Sequence, residues 1–530
     1  MTGSTGLVKL RECTVVLLLC VLLTGAYSLG SYIYFKTAGI ELSDSARFGW
    51  DTWEYQSMAV NFAAGHGLKF GGIEEFSFYK FTQTGDQVFG DAGLKGYESF
   101  LELGSRGGSY NFYRTPGYPA FLGILYKIFG VSPKVARVSQ VFLVIVIAAF
   151  LPYVGFAYWR LKGFAAGVIS GSILMSTYVY IHNMQDELLT EPLIMFSAFL
   201  CVLMFILWER KKTAAASATL GVVMGIGILV KGSLIFTPFL TGFYFLYLTL
   251  RKRLNPSSVV AFVLGVSFVI LSWSIFASVK EGRPIFISTE GGQLLLETNS
   301  AVSKDGTWHA KPLDTFYARP EIKQLSEPVK VIVYYLNHRE LLPSIFINKI
   351  NAGFNGFLFF KTAVLFLLYT MTINTLNFFD SENKLNLVKY VLSVIMVLYL
   401  VWTVFAVCVV VFKLNLSPVA ALVFANIIKL MPSATLLIYV FIVYFCVSYA
   451  FTKSVTIEVP ASFAILFLNF FLITIIFYGH PRHVKVIDFI FILMAMQAVF
   501  SAGSWLYGAQ SANHGRLGRF GSEKGSPSGS

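Results

Sequence analysis

The sequence predicts an all-α polytopic membrane protein. Three observations carry that prediction. Apolar runs of membrane-crossing length recur along the chain. Hydrophobic residues make up 56% of its 530 residues and charged residues only 13%. The mean hydropathy is +0.67. A soluble domain carries about 25% charged residues, so a chain of this size has too little polar surface to be folded in water alone. The same composition excludes an ordinary cytosolic enzyme, a disordered chain, a disulfide scaffold and a nucleic-acid binder. Cys13, Cys20, Cys201, Cys408 and Cys446 lie in or at the ends of apolar runs, without metal-ligand spacing. They read as packing residues.

A helix needs about 20 apolar residues to cross the hydrocarbon. Such runs lie near 13–35, 136–158, 163–181, 188–208, 214–230, 234–250, 257–279, 355–377, 387–412, 432–451, 460–478 and 486–507. That makes roughly 12 spans, with ends uncertain by a few residues. Lys9 and Arg11 followed by Val15–Leu23 and Gly25-Ala26-Tyr27-Ser28 have the look of a signal peptide. The apolar character runs on to Phe35, so an uncleaved first helix is expected. Ser417 to Leu430 is shorter and reads as an interfacial helix.

Orientation follows from the basic residues of the short loops. Arg160 and Lys162, Arg210 to Lys212, and Arg251 to Arg253 fall on one side. Lys9, Arg11, Lys384, Lys389, Lys453, Arg516 and Arg519 fall there too. The positive-inside rule makes that side cytoplasmic. It also explains the net charge of +13 without a polyanionic partner.

Two long polar segments, 36–134 and 280–354, then face outward, and His66, His182, His309, His338, His480 and His483, six of the seven histidines, fall on that outer side. The chain divides accordingly. A transmembrane module spans 1–279 and contains the first outer segment. The second outer segment, with interfacial helices, is 280–354. A second transmembrane module spans 355–510. The Gly- and Ser-rich tail, 511–530, reads as disordered and cytoplasmic. Neither an internal repeat nor an inverted pair of broken helices is visible, which argues against a secondary transporter.

Chemistry-bearing residues cluster in the outer segments. Asp51, Glu54 and Tyr55 follow the first span among aromatics. An acid at the water–lipid boundary loses hydration, which raises its pKa and makes it a better base; the plainer reading is a helix cap. Tyr113-Arg114-Thr115-Pro116-Gly117-Tyr118-Pro119 makes a rigid turn that would hold Arg114 for a phosphate or a carboxylate. Asp186, Glu187 and Glu191 stand at the start of a span. An acid at membrane depth, as expected for Glu191, is costly and usually functional.

Lys231 sits in a very short outer turn, against the charge trend. It would either meet a phosphate or reach the headgroups. Ser288-Thr289-Glu290-Gly291-Gly292 opens the second segment, and Asn299, Gly306, Trp308 and His309 follow. His338 to Lys349 reads as an amphipathic, membrane-apposed helix. Tyr478-Gly479-His480-Pro481-Arg482-His483-Val484-Lys485 is a basic outer hairpin suited to an anion or to headgroups. There is no Walker loop, dinucleotide fingerprint, HExxH or GxSxG, and the histidines lack close ligand spacing.

In this order and membrane placement, the motifs resemble the GT-C-type membrane glycosyltransferases, specifically the protein O-mannosyltransferase and lipid A aminoarabinose transferase group. The resemblance rests on Asp51 with Tyr55, the Arg114–Pro119 turn, Thr190-Glu191-Pro192, and Ser288–Gly292 with Asn299, Gly306 and Trp308. Pro481-Arg482 completes it, so that roughly residues 10–500 are covered. It implies a GT-C architecture and transfer of a sugar from a polyprenyl-phosphate carrier to an extracytoplasmic lipid, glycan or protein. Asp51 matches the reaction-centre aspartate of inverting members. Where some members have an adjacent Asp-Glu pair, Thr52 follows Asp51 here and the next acid is Glu54. Asp186 and Glu191 both fit a second acid.

The residues suit that chemistry. Glycosyl transfer needs a base for the acceptor hydroxyl, for which Asp51 is the candidate. It also needs cations for the departing phosphate. Arg114, Lys231 and Arg482 are the candidates, with His480 or His483. Tyr55 is placed at the donor, and Glu54, Asn299 and Trp308 at the acceptor or in the loops. No cofactor is required by these residues, although a divalent metal is compatible with a phosphate donor. The expected partners are the lipid-linked donor, the acceptor and membrane lipid, with no nucleic acid. A bacterial inner membrane with the site facing the periplasm is the expected location. A diphosphate-lipid-dependent polymerase or ligase, or a transporter or flippase, is the alternative.

Overall fold

A computed structural model describes residues 3–37, 50–70, 109–110, 112–130, 132–175, 188–303, 305–307, 314–354, 460–477, 485–490, 492–494 and 496–497. Within them the chain is built almost entirely from helices. α1 is Gly3–Thr37, α2 Trp50–Ala63, α3 Gly117–Phe129 and α4 Pro133–Met175. α5 is Glu191–Lys211, α6 Ala214–Val230, α7 Phe236–Leu250 and α8 Pro256–Glu281. α9 (Glu290–Glu297), α10 (Glu327–Asn337) and α11 (Leu342–Phe354) occupy the second polar segment, and α12 is Ala461–Ile476.

Among the described residues, five helical stretches are long and apolar enough to cross a membrane: Glu12–Thr37, Pro133–Met175, Glu191–Lys211, Gly232–Leu250 and Pro256–Glu281. Ala214–Val230 and Ala461–Ile476 are shorter apolar helices. The predicted spans 355–377, 387–412 and 432–451 and the interfacial stretch 417–430 lie outside the described residues, as does most of 486–507.

One short element departs from a purely helical reading. Lys69–Phe70 (β1) pairs antiparallel with Ser109–Tyr110 (β2), Lys69 opposite Tyr110. Side-chain chemistry explains the local extension. Asn61 Nδ2 reaches from the end of α2 to the Lys69 carbonyl at 2.8 Å, which fixes the chain beyond the helix. The predicted span 136–158 and the described part of 163–181, up to Met175, lie together in α4, which is broken at Trp159 and Arg160. Arg160 has a φ of 58° there, which breaks the helical ladder between the two arms.

Two compact units divide the chain. One comprises Met1–Phe150, Leu174–Gly356 and Val459–Phe489; the other comprises Leu151–Ile173, Phe357–Glu458 and Ile490–Ser530. In the second, the arms on either side of the α4 break pack closely, with Gly155 against Gly163 and Gly167 against Pro152.

The first unit contains the candidate site. At its centre α5 buries Cys201, Phe205 and Trp208 against Leu220 and Met224 of α6, Phe245 of α7, Phe262 of α8 and Ile465 of α12. The Trp208 and Phe245 rings stack with centroids 4.2 Å apart. Trp208 Nε1 donates to Ser217 Oγ at 2.9 Å, so the indole is satisfied within the bundle. Lipid is as apolar as these side chains, so close packing holds such helices together rather than release of water. α6 and α8 accordingly touch backbone to backbone at Gly221 and Gly265, where any added Cβ would collide with a carbonyl of the other helix.

Candidate active site

Helical spacing places Asp51, Glu54 and Tyr55 on one face of α2, at i, i+3 and i+4. Thr52 faces elsewhere and ties the helix down, its hydroxyl donating to the Leu188 carbonyl at 3.1 Å. Arg114 approaches the Asp51 face from the Thr115-Pro116-Gly117 turn. Thr115 Oγ1 donates to the Val230 carbonyl at 2.9 Å. Gly117 is required at its position because a Cβ would lie 2.6 Å from the Val230 backbone. Tyr118 is fully buried, and its hydroxyl accepts from Gln140 Nε2 at 2.9 Å. Its ring meets Tyr55 edge-on at 5.0 Å. The turn that follows Arg114 is therefore held in place.

Each nitrogen of the guanidinium donates to a different carboxylate. Nη2 meets Asp51 Oδ1 at 2.6 Å and Nη1 meets Glu290 Oε1 at 2.5 Å. Nε donates to Glu54 Oε2. The rings of Tyr113 and Tyr55 lie 5.0 and 5.6 Å from the guanidinium carbon. Asp51 is the most open of the three acids, with 33% of its side chain exposed against 19% for Glu54 and 25% for Glu290. One cation thus organises three carboxylates drawn from both long polar segments.

Glu290 reaches this cage through backbone pairing. The Thr289 N–H donates to the Phe112 carbonyl at 2.8 Å, and the Glu290 N–H to Tyr113 O at 3.2 Å. Just upstream, Trp273 Nε1 donates to Ile287 O, and Ser274 Oγ to Ile285 O, both at 2.7 Å. The segment 285–290 is therefore strapped to the end of α8 and to the residues preceding Arg114. Glu290 then opens α9, where the helix dipole favours an anion.

Electrostatics follow from this enclosure. Burial opposes the charge on Arg114, but Glu290, Tyr55, Asp51 and Glu54 overcome it and hold the guanidinium above its ordinary pKa. Burial raises the Glu290 carboxyl, and Arg114 and Lys231 offset this only in part. Burial also pushes the Tyr113 phenol up to about 12 and that of Tyr55 well above its usual value. Both rings therefore stay neutral at physiological pH. With all acids ionised, three negative charges surround one positive charge. Like charges this close favour retention of a proton.

A second charged group neighbours the cage. Lys231 caps the end of α6, and its Nζ donates to Thr190 Oγ1 at 3.1 Å. Glu191 Oε1 is 3.9 Å away, buried in the first turn of α5. The field of Lys231 reaches Glu290, and that of Glu191 reaches Tyr55.

Asn299 belongs to a different cluster. Its Oδ1 accepts from Lys349 Nζ at 2.6 Å and from the Tyr335 hydroxyl at 2.9 Å. Its backbone carbonyl accepts from the Tyr317 hydroxyl at 2.5 Å. Its Nδ2 donates to Ile476 O at 2.9 Å, and Lys349 Nζ lies 3.2 Å from both Ile475 O and Ile476 O. Lys349 is fully buried, and burial pushes its amine down to about 7.

The structure thus joins Asp51, Glu54, Tyr55 and Arg114, sets Lys231 and Glu191 beside them, and places Asn299 in a separate knot. Asp186, Trp308, His480, Arg482 and His483 lie outside the described residues. Sequence reasoning missed Glu290 as a site residue, although it is the variable position of the Ser288–Gly292 motif. An acid between Thr and Gly-Gly was the available signal. Lys349 was also missed, because its helix was read as membrane-apposed. Among the described residues, no group of three or more His, Cys, Asp or Glu is arranged to hold a metal ion.

Residues 113–276 match the model of the family described as dolichyl-phosphate-mannose-protein mannosyltransferase. The match covers less than a third of the chain. It includes the Arg114 turn, Glu191 and Lys231, and it ends before Glu290. The resemblance read from the motifs is borne out over that stretch. No curated protein and no solved structure matches the chain significantly. Together with the apolar helices, the match supports an integral membrane glycosyltransferase of the mannosyltransferase type.

Proposed function

We propose that this chain transfers a sugar from a polyprenyl-phosphate carrier to an extracytoplasmic acceptor, with inversion at the anomeric carbon and Asp51 as general base. The observation that carries this reading is the Arg114 cage, in which Asp51 is the most exposed carboxylate. A base must reach the acceptor hydroxyl, and geometry precedes pKa in choosing it. As the acceptor oxygen attacks the anomeric carbon, its proton passes to the Asp51 carboxylate. The bond from that carbon to the phosphate oxygen breaks, and the electron pair leaves with the lipid phosphate.

Charge then grows on the phosphate, where a preorganised cation is most effective. Lys231 serves that role in this reading, because the Arg114 nitrogens are engaged by carboxylates. Arg482, with His480 or His483, supplies further positive charge from the basic hairpin. Charge stabilisation in the step as written comes from side chains alone. Glu191 beside Lys231 and Asp186 remain the two candidates for a second acid. The positive-inside pattern favours the extracytoplasmic side for the reaction, which in this reading is the periplasmic face of a bacterial inner membrane.

The test is transfer from radiolabelled polyprenyl-monophosphate sugars to membrane acceptors by purified wild type and Asp51→Asn. Thermal unfolding of both in detergent checks that they are folded. We expect product from wild type and a loss of about 10²–10⁴-fold in the variant. Equal activity would remove Asp51 as base. Activity only with diphosphate donors would replace the carrier, and no transfer from any donor would overturn the reading.

A further inference from the structure

We infer that Glu290 is a positioning residue of the transfer site, which sets the basicity of Asp51 by competing with it for Arg114. The inference rests on the reading of Asp51 as the base. It adds a residue from the second polar segment, 176 positions from Arg114 in sequence.

Arg114 distributes one positive charge over three carboxylates through three separate nitrogens. What one acid takes is not available to the others. Glu290 holds Nη1 while Asp51 holds Nη2, on the same guanidinium plane. Removing the Glu290 charge removes a repulsion and concentrates Arg114 on Asp51. Both effects stabilise the Asp51 carboxylate and weaken it as a base.

The backbone strap makes this a built feature rather than a chance approach. Two consecutive N–H groups, those of Thr289 and Glu290, pair with the carbonyls of Phe112 and Tyr113 directly before Arg114. The pairing places Glu290 opposite Arg114 in register, so a shift of the 280–354 segment would alter the charge balance at Asp51.

The experiment compares the pH dependence of kcat/KM for wild type, Glu290→Gln and Glu290→Asp, using a polyprenyl-monophosphate sugar donor. Glutamine keeps the size and an acceptor oxygen while losing the charge. In Glu290→Gln the acid limb is expected to move down by about one pH unit. The plateau rate is expected to fall about tenfold, because a weaker base takes the proton less readily. The donor KM should be unchanged.

In Glu290→Asp the charge remains but its reach is shorter, so the limb should move the same way by about half as much. This variant carries the test if Glu290→Gln does not fold. An unmoved limb in a folded variant of an active enzyme overturns this inference alone. A rise in donor KM without a change in the limb overturns it too, because Glu290 would then act in binding. No transfer by wild type from any donor overturns the proposed function, and this inference with it.

Discussion

The Arg114 cage and the Asn299–Lys349 knot are both polar clusters in the same compact unit, and both draw residues from distant parts of the chain. They differ in balance and in exposure. In the cage, three carboxylates share one guanidinium, and the Asp51 side chain stays one-third exposed. In the knot, a sealed amine meets three acceptor oxygens, and Asn299 uses both its amide oxygen and its amide nitrogen. Glycine completes this enclosure. Gly306 has a φ of +81°, and a Cβ there would collide with the Asn348–Lys349 backbone. A satisfied buried network rigidifies its surroundings. An acidic surplus that reaches solvent keeps a group able to take a proton. The knot holds the 280–354 segment to α12, whereas the cage is the cluster to which the proposed function assigns the reaction.

The most severe way to break this contrast is Arg114→Ala. It leaves three neighbouring carboxylates without their shared cation. We expect a loss of about 3 kcal/mol in stability, at the lower end for a broken buried ion pair because the acids are partly exposed. Transfer should disappear as well. Thermal melts in detergent and the transfer assay measure the two separately. Retention of both would mean that the cage is not organised by Arg114.

Lys231→Met sharpens the division of labour within the site. Transfer should fall by about ten- to a hundredfold through loss of phosphate stabilisation. A kinetic comparison with wild type at saturating donor would detect it. Unchanged kcat would move the phosphate role elsewhere.

Lys349→Met tests the other side of the comparison. The lost hydrogen bonds should cost about 1–2 kcal/mol. Activity per folded molecule should be retained, and a deficit in specific activity at full folding would make the knot part of the reaction site.

A pH slope tests the same residue. The Lys349 amine has an ordinary pKa of 10.5 and is pushed down to about 7 in the folded protein. Between those values the unfolded chain binds more protons, so stability rises with pH. Below pH 7 both states are protonated and the contribution is flat. Melts of wild type relative to Lys349→Met, from pH 7 to 10, should show wild type gaining ground. Parallel curves would contradict the shift.

Much of the helical scaffold was legible in the sequence. The predicted 214–230 coincides with α6, and 257–279 falls within α8 by one or two residues at each end. Run length and apolar content are local properties, so they survive without knowledge of the partner helices. The break in α4 was also foreseen, from Arg160 and Lys162 between two apolar runs. The β1–β2 pair was not, because its two-residue strands come from positions about 40 apart and carry no periodicity. Among the site residues, Asp51 and Arg114 stood out individually. Their mutual pairing did not, since the guanidinium in a rigid turn suits a phosphate or a carboxylate equally.

By itself the sequence determined that the protein is helical, rich in membrane-crossing segments and provided with acids in two long polar stretches. Those conclusions depend on composition and on neighbours along the chain. Only the tertiary structure decided that Glu290 shares Arg114 with Asp51 and Glu54, and that Asn299 serves Lys349 rather than that cage. A charged side chain takes whichever partner the packed helices bring within about 3 Å. Across 176 residues, only backbone pairing and helix packing select that partner.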